Sequence, residues 1–313
     1  MGRYMIRRSL QFIPVFFGAT FLIFAMVFAL PGDPIRALSG ERPQPESVRA
    51  ALTERYNLDD PLIVQYSKYI GVYPGESGIF QGDFGTDFRG REVRKIMSER
   101  IPRTARLALI AFFFEIALGL TAGVLAGLRQ KGFMDSLVLI TTLTVISIPI
   151  FVLGFLSQIY LGLELGWFPI AGIQRGWYSY LLPGMVLGSV SLAYVARLTR
   201  ASLVENLRAD YVRTATAKGL KRRRVVGVHT LRNSLIPVIT YLGVDLGALM
   251  GGAIVTESVF NIPGLGGLVF DSIVRQEGTV IVGVATFLVI VYMLTNLLVD
   301  LLYAVLDPRI RYD

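Results

Sequence analysis

The sequence predicts an all-α polytopic membrane protein with six transmembrane helices. Three observations predict it. Mean hydropathy over the 313 residues is +0.56. Charged residues make up 17% of the chain, where a soluble globule needs about 25%. The chain also runs without charge from Arg8 to Asp33, Asp135 to Glu164, Arg175 to Arg197 and Glu277 to Asp300. Each of these gaps supplies the roughly 20 apolar residues an α-helix needs to cross a bilayer.

Two further spans carry one acid each, Ala105–Leu128 with Glu115 and Leu235–Glu257 with Asp245. The six are placed near 9–31, 105–128, 136–163, 178–198, 235–256 and 279–303. The first is read as an uncleaved helix, because its apolar run exceeds a signal-peptide core and no A-x-A site follows. Pro14 and Pro149 fall inside spans, where packed neighbours can satisfy the freed carbonyls.

Orientation follows the basic residues of the short loops. Arg3, Arg7 and Arg8 precede span one, and Arg129 and Lys131 follow span two. The segment after span four holds ten Lys and Arg, from Arg197 to Arg232, against Glu205 and Asp210. Segments 164–177 and 257–278 lack this excess. Both termini are therefore expected to be cytoplasmic. Residues 1–31 form a tail and first span, 32–104 an extracytoplasmic insertion, and 105–313 a core of five spans with a cytoplasmic loop at 199–234.

The insertion is expected to fold as a small cap. Val48, Leu52 and Tyr56 have helical spacing. Asp60 is placed as the cap of a helix with Pro61 at its first position and Ile63, Tyr66 and Ile70 on one face. Gly82-Asp83-Phe84-Gly85 reads as a turn, and Val93, Ile96, Met97 and Ile101 as an amphipathic stripe running into span two. The cap serves either packing and topology or the docking of an external partner.

In the inner loop, Asp210 is placed as the cap of a short helix that Gly219 ends in a left-handed conformation. Lys218 suits the negative end of its dipole. Thr214, Ala215, Thr216 and Ala217 make it small-sided, with Ala215 and Gly219 on one face. Such a helix buries little core of its own and suits another protein's groove; the plainer reading is a basic loop that fixes topology. Lys221–Arg224 is read as a topology determinant or a contact for anionic lipid rather than for nucleic acid.

Other chemistries are excluded. The chain has no cysteine and one histidine, His229, so thiolate and multi-histidine metal sites are out. None of the five lysines lies in a Gly-Lys-Ser/Thr context, so there is no P-loop. With no nucleophile–base pair either, the chain is not expected to be an enzyme. Glu115 and Asp245 are expensive within a membrane and stand as pathway contacts or interhelical bonds. Pro263 and Gly264 are placed in a short outer turn or re-entrant helix beside the pathway, with Glu257 just before it.

At the inner loop the sequence resembles the permease subunits of ATP-binding-cassette importers, whose loop reads E-A-A-x3-G-x9-I-x-L-P. Gly219 matches the glycine, Thr214 and Ala215 stand at the alanines, and Leu231 matches the leucine; Arg213, His229 and Arg232 depart from the pattern. The peptide-importer version, D-Y-V-R-T-A-x-A-K-G-L followed by H-x-L-R-N-x-L-I-P, is present almost in full from Asp210 to Leu220 and from His229 to Pro237. Further matches are Leu30–Pro34, Tyr56–Leu62, Gly82–Gly85, Gly251–Gly266 and Asp300–Arg309. Together they resemble the B-type permease of dipeptide, oligopeptide and nickel importers.

That resemblance implies a type I importer permease fold in a bacterial plasma membrane. It implies a sister permease, one or two ATPase subunits that hold ATP and Mg, and an extracytoplasmic binding protein. Coupling to the ATPases falls to Asp210, Tyr211, Arg213, Thr214, Ala215, Lys218 and Gly219. Peptides are the implied cargo, with nickel chelates, haem or another solute as alternatives. A stand-alone secondary transporter is one rival, against which stands the lack of a clear internal repeat, and a non-transporting membrane scaffold that recruits a cytoplasmic protein through the same helix is the other.

Overall fold

The computed structural model describes residues 2–29, 45–55 and 59–306. The Leu30–Pro34 motif, Tyr56–Leu58, Asp307–Arg309 and the side chains of Arg3, Arg8, Val48 and Leu52 lie outside the described residues. Among the described residues the regular structure is helical, and the one bridge, Thr86 with Glu92, is isolated. The described residues form two compact units, one of residues up to 104 with 263–297, the other of 105–262 with 298–306.

Four continuous helical segments are long and apolar enough to cross a membrane: Ser9–Phe28, Val93–Leu128, Gly176–Leu207 and Gly278–Asp300. Two bent pairs bring the number to six if each is one span. The first covers the span expected at 136–163, with Pro149 inside it. Helix α5 (Phe133–Ser147) stops where Ile148 turns extended ahead of Pro149, as a residue before proline does. Helix α6 (Ile150–Ser157) then leaves at 102° and passes into a π-helical turn, Gln158–Glu164. Pro149 therefore starts a new helix rather than sitting inside one.

In the first unit, α1 (Gly2–Phe28) accepts Pro14 within it, and α2 covers Glu46–Arg55. Helix α3 (Leu62–Ile70) is preceded by Pro61 as its cap residue, not by Asp60. Asp60 instead pairs with Lys68 at 2.8 Å, and its carbonyl accepts from Gln65. Tyr66 and Ile70 are buried as expected, whereas Ile63 lies on the exposed side of the helix. The Tyr66 hydroxyl meets Thr20 at 2.7 Å and donates to the Phe17 carbonyl. The Tyr69 hydroxyl reaches Thr286 of α11 (Gly278–Leu306) at 2.8 Å. Gly82 and Gly85 take positive φ in the expected turn. Val93, Ile96 and Met97 are buried at the start of α4 (Val93–Leu128), so the amphipathic stripe and span two are one helix.

In the second unit, α4 meets α7 (Leu181–Leu207) through glycines. On α4, Gly119, Gly123 and Gly127 face Val195, Thr199 and Leu203; on α7, Gly184 and Gly188 face Ile110 and Ala111. A Cβ at Gly188 would lie 2.6 Å from the Ala111 carbonyl oxygen. Small residues at every fourth position let two helices approach closely, which is how apolar helices gain packing in lipid. Helix α7 continues to Leu207, well into the expected inner loop. Helix α9 (Ile236–Val259) packs along it.

Candidate functional site

The 199–234 loop folds as a compact motif. Helix α8 spans Asp210–Ala217, and Ala209, in extended conformation, is its cap residue. Asp210 is thus the first helical residue rather than the cap, still placed to meet the positive end of the dipole. Its 3.7 Å pairing with Arg213 is exposed on both sides and adds little. The helix ends as the sequence requires. Gly219 has φ +76°, its amide donates to Thr216 at 2.9 Å, and the Leu220 amide donates to Ala215 at 3.3 Å. This is a Schellman ending, with Leu220 packed back on the helix.

The two faces of α8 differ. Val212 and Ala215 are buried against Val225, so the helix carries a small core of its own, and Ala215 faces inward. Tyr211, Arg213, Thr214, Lys218 and Gly219 are exposed. The Tyr211 hydroxyl donates to the Asn206 amide oxygen at 2.6 Å, tying α8 to the end of α7. Past Gly219 the chain turns through Lys221–Arg224, all exposed, into a π-helical stretch, Val225–Thr230. Ser234 reaches back to the carbonyls of Thr230 and Ser202. A 45° bend then leads into α9.

One anchor of this motif is not visible in the sequence. Arg200 on α7 grips both oxygens of Asp135 at the start of α5, and the Lys131 amide donates to the same carboxylate at 2.8 Å. From sequence alone, Asp135 marks the end of a span and Arg200 is one cation among many in a basic loop. No local pattern links them; the fold does.

The intramembrane acids come together. Glu115 of α4 lies beside Asp245 of α9 and Ser191 of α7. Ser191 donates to Asp245 Oδ1 at 3.1 Å, and the Tyr241 hydroxyl to the same oxygen at 3.3 Å. Glu115 is fully buried and its carboxyl oxygens have no well-formed hydrogen bond; Asp245 Oδ2 has none either. Tyr241 stacks tilted on Tyr194 at 6.2 Å, and the Arg197 guanidinium lies 5.9 Å over the Tyr194 ring.

The remaining candidates are placed separately. Glu257 is fully buried in the last turn of α9. In the first unit, the Pro263 carbonyl accepts from Arg103 at 3.0 Å and the Gly264 carbonyl from Arg100 at 3.3 Å. The Leu265 amide donates to Thr104 at 2.8 Å. This clamp holds the start of a ten-residue helix, α10 (Leu265–Val274). The segment before α11 is therefore a short helix of its own.

With this geometry the sequence matches known proteins over both halves. Residues 119–312 match the family described as the binding-protein-dependent transport system inner membrane component, and residues 1–108 match that system's N-terminal membrane component. The chain belongs to this family. The permease is 36% identical to the dipeptide transport system permease protein DppB of Alkalihalophilus pseudofirmus, over all of both chains. It is 38% identical to the glutathione transport system permease protein GsiC of Escherichia coli K12, again over all of both. A solved structure of the inward-facing MetNI methionine ABC transporter has a chain that superposes with a TM-score of 0.59 at 19% identity, covering 68% of this chain and 97% of that one. That likeness shows that the two chains share a fold. The permease is a multi-pass inner-membrane protein, and its family is one of transport subunits rather than enzymes.

Proposed function

We propose that this permease forms half of the pathway of an ATP-driven importer of short peptides. The observation that carries this reading is full-length similarity to permeases named for dipeptide and glutathione transport. The sister permease, one or two ATPase subunits and an extracytoplasmic binding protein complete the assembly, with ATP and Mg on the ATPases. Both termini and the 199–234 loop face the cytoplasm, in accord with the basic excess there. Residues 32–104 lie outside.

Helix α8 is the coupling element. Its exposed Tyr211, Arg213, Thr214, Lys218 and Gly219 meet the ATPase, Asp210 sets the helix start, and Ala215 holds the helix to the permease. ATPase closure carries α8, and α7 and α9, which flank it, transmit the movement to Glu115 and Asp245. Glu257 and the Pro263–Gly264 clamp serve as gate elements, each within its own unit. Nucleotide thereby biases a two-state switch between inward- and outward-open forms.

The test is co-expression with the sister permease and ATPases, followed by peptide uptake in proteoliposomes supplied with binding protein. A stoichiometric complex with ATP-dependent uptake is expected, and Gly219→Asp should uncouple hydrolysis from uptake. A chain that purifies alone and stable would overturn the assembly, and normal coupling in Gly219→Asp would overturn the role of α8.

A further inference from the structure

The acids in the second unit present an unusual donor deficit. Glu115 Oε1 and Oε2 and Asp245 Oδ2 are buried without a well-formed hydrogen bond, while the Ser191 and Tyr241 hydroxyls converge on Asp245 Oδ1. Glu115 is fully buried and lies against Asp245. Buried polar groups are ordinarily satisfied; one proton shared between the two carboxyls closes the contact between them but leaves one negative charge and further open acceptors, which point to a missing cationic donor. A primary ammonium has three N–H donors, no acceptor and one positive charge. It matches the open acceptors in kind and the residual charge in sign.

The cluster is not sealed. Tyr194, at its margin, is 45% exposed, and Asp245 and Tyr241 are partly exposed. Along α7, Ser191, Tyr194 and Arg197 follow at intervals of three and share a face. Arg197 is partly exposed, and among the described residues its guanidinium forms no ion pair. Six residues of helix separate Ser191 from Arg197, about 9 Å along the axis. An extended peptide covers about 3.5 Å per residue, so the amino and carboxylate ends of a dipeptide or tripeptide lie about 7 to 10 Å apart.

We propose that Glu115, Asp245, Ser191 and Tyr241 bind the free amino terminus of a short peptide while Arg197 binds its carboxylate, making a transient zwitterion site within the permease. The site selects by end groups and length, leaving side chains to lie over the Tyr194–Tyr241 pair. This rests on the reading of the chain as a peptide permease and adds a specificity element within the membrane part.

The test uses the purified importer complex without its binding protein, so that the binding protein's own selectivity does not enter. Radiolabelled glycyl-leucine is expected to bind. N-acetyl-glycyl-leucine and glycyl-leucinamide should compete at least about tenfold more weakly, a difference of about 1.4 kcal/mol for each lost end. Asp245→Asn should abolish the discrimination against the acetylated peptide, and Arg197→Gln the discrimination against the amide. Two crossed losses of this kind are not produced by a merely structural role. A complex that imports glycyl-leucine with its binding protein yet does not bind it alone overturns the site, as does equal binding of the blocked peptides or unchanged discrimination in both variants. If Asp245→Asn does not assemble, Arg197→Gln and the blocked peptides on the wild-type complex decide. A wild-type complex that imports no peptide with its binding protein overturns the peptide-permease reading itself.

Discussion

Arg200 on α7 holds Asp135 on α5 with two parallel hydrogen bonds, one from Nε and one from Nη2, and Asp135 is almost wholly buried. Two helices are thereby joined shortly before the chain leaves α7 for α8. Removing one partner of a buried pair strands the other charge, at a cost of about 3–5 kcal/mol. Asp135→Ala should therefore lower the thermal unfolding midpoint of the purified complex clearly. Arg200→Lys should lower it less, since it keeps the charge but loses the two-pronged geometry. An unchanged midpoint in Asp135→Ala would show that the pair does not stabilise the fold.

Gly219 is tested by its backbone alone. Its φ of +76° suits glycine, and no atom lies within 4 Å of the place a Cβ would occupy. Gly219→Ala should cost about 1 kcal/mol from the left-handed conformation and nothing from collision. Gly219→Asn should cost less. Faster amide exchange at Gly219 and Leu220 in the alanine variant, with the asparagine variant between it and wild type, is the expected pattern.

Thr104 is fully buried and accepts the Leu265 amide. Thr104→Val keeps the shape and removes the acceptor, leaving a buried donor without its partner at a cost of about 1–3 kcal/mol. Protease cleavage near Pro263–Leu265 should become faster. Resistance equal to wild type would remove Thr104 from the clamp.

The close approach of α4 and α7 sets a steric limit. A Cβ at Gly188 meets the Ala111 backbone, which cannot rotate away. Gly188→Val should cost at least the roughly 1–3 kcal/mol typical of overpacking. Gly18, which has open space around its Cβ position, is the control, and Gly18→Ala should leave the unfolding midpoint near wild type.

A pH effect is expected from Asp87, in the 32–104 segment. Burial pushes its carboxyl up, but the Arg91 amide and guanidinium and the Arg89 amide outweigh that, and it sits below the ordinary carboxylate value. A depressed value means the folded state binds the proton less readily than the unfolded chain. The stabilisation is complete above about pH 4 and is lost as pH falls through the depressed value. Glu277 faces Asp87 and is pushed up, mainly by burial, so it acts in the opposite direction on acidification. Asp87→Asn should lower stability at neutral pH and flatten its decline below about pH 4.

Much of this was legible in the chain. The end of α8 at Gly219 follows from a residue type that alone adopts the needed φ freely, and the turn at Gly82–Gly85 follows from the same physics. The starts were less legible: Ala209 and Pro61, not Asp210 and Asp60, precede their helices, because an extended residue suffices as a cap when water can serve the first amides. The break at Pro149 was hidden by uniform apolarity, since hydropathy measures length and not direction. The joining of Glu115 to Asp245, of Arg200 to Asp135 and of Gly188 to Ala111 depends on how helices pack, and no window of sequence contains both partners.

The π-helical stretch Val225–Thr230 has a consequence for how the loop could change. A π turn holds one residue more than an α turn, and each residue advances the side-chain direction by about 100°. Deleting one residue between Val225 and Gly227 would let the segment relax to regular winding. Because the π turn takes up that residue, Lys221–Arg224 and α8 would keep their bearing relative to Thr230 and Ser234, whose hydroxyls now reach Val225 and Ser202. The permease thus carries slack in its backbone: one turn can give up a residue while α8 keeps its compass bearing.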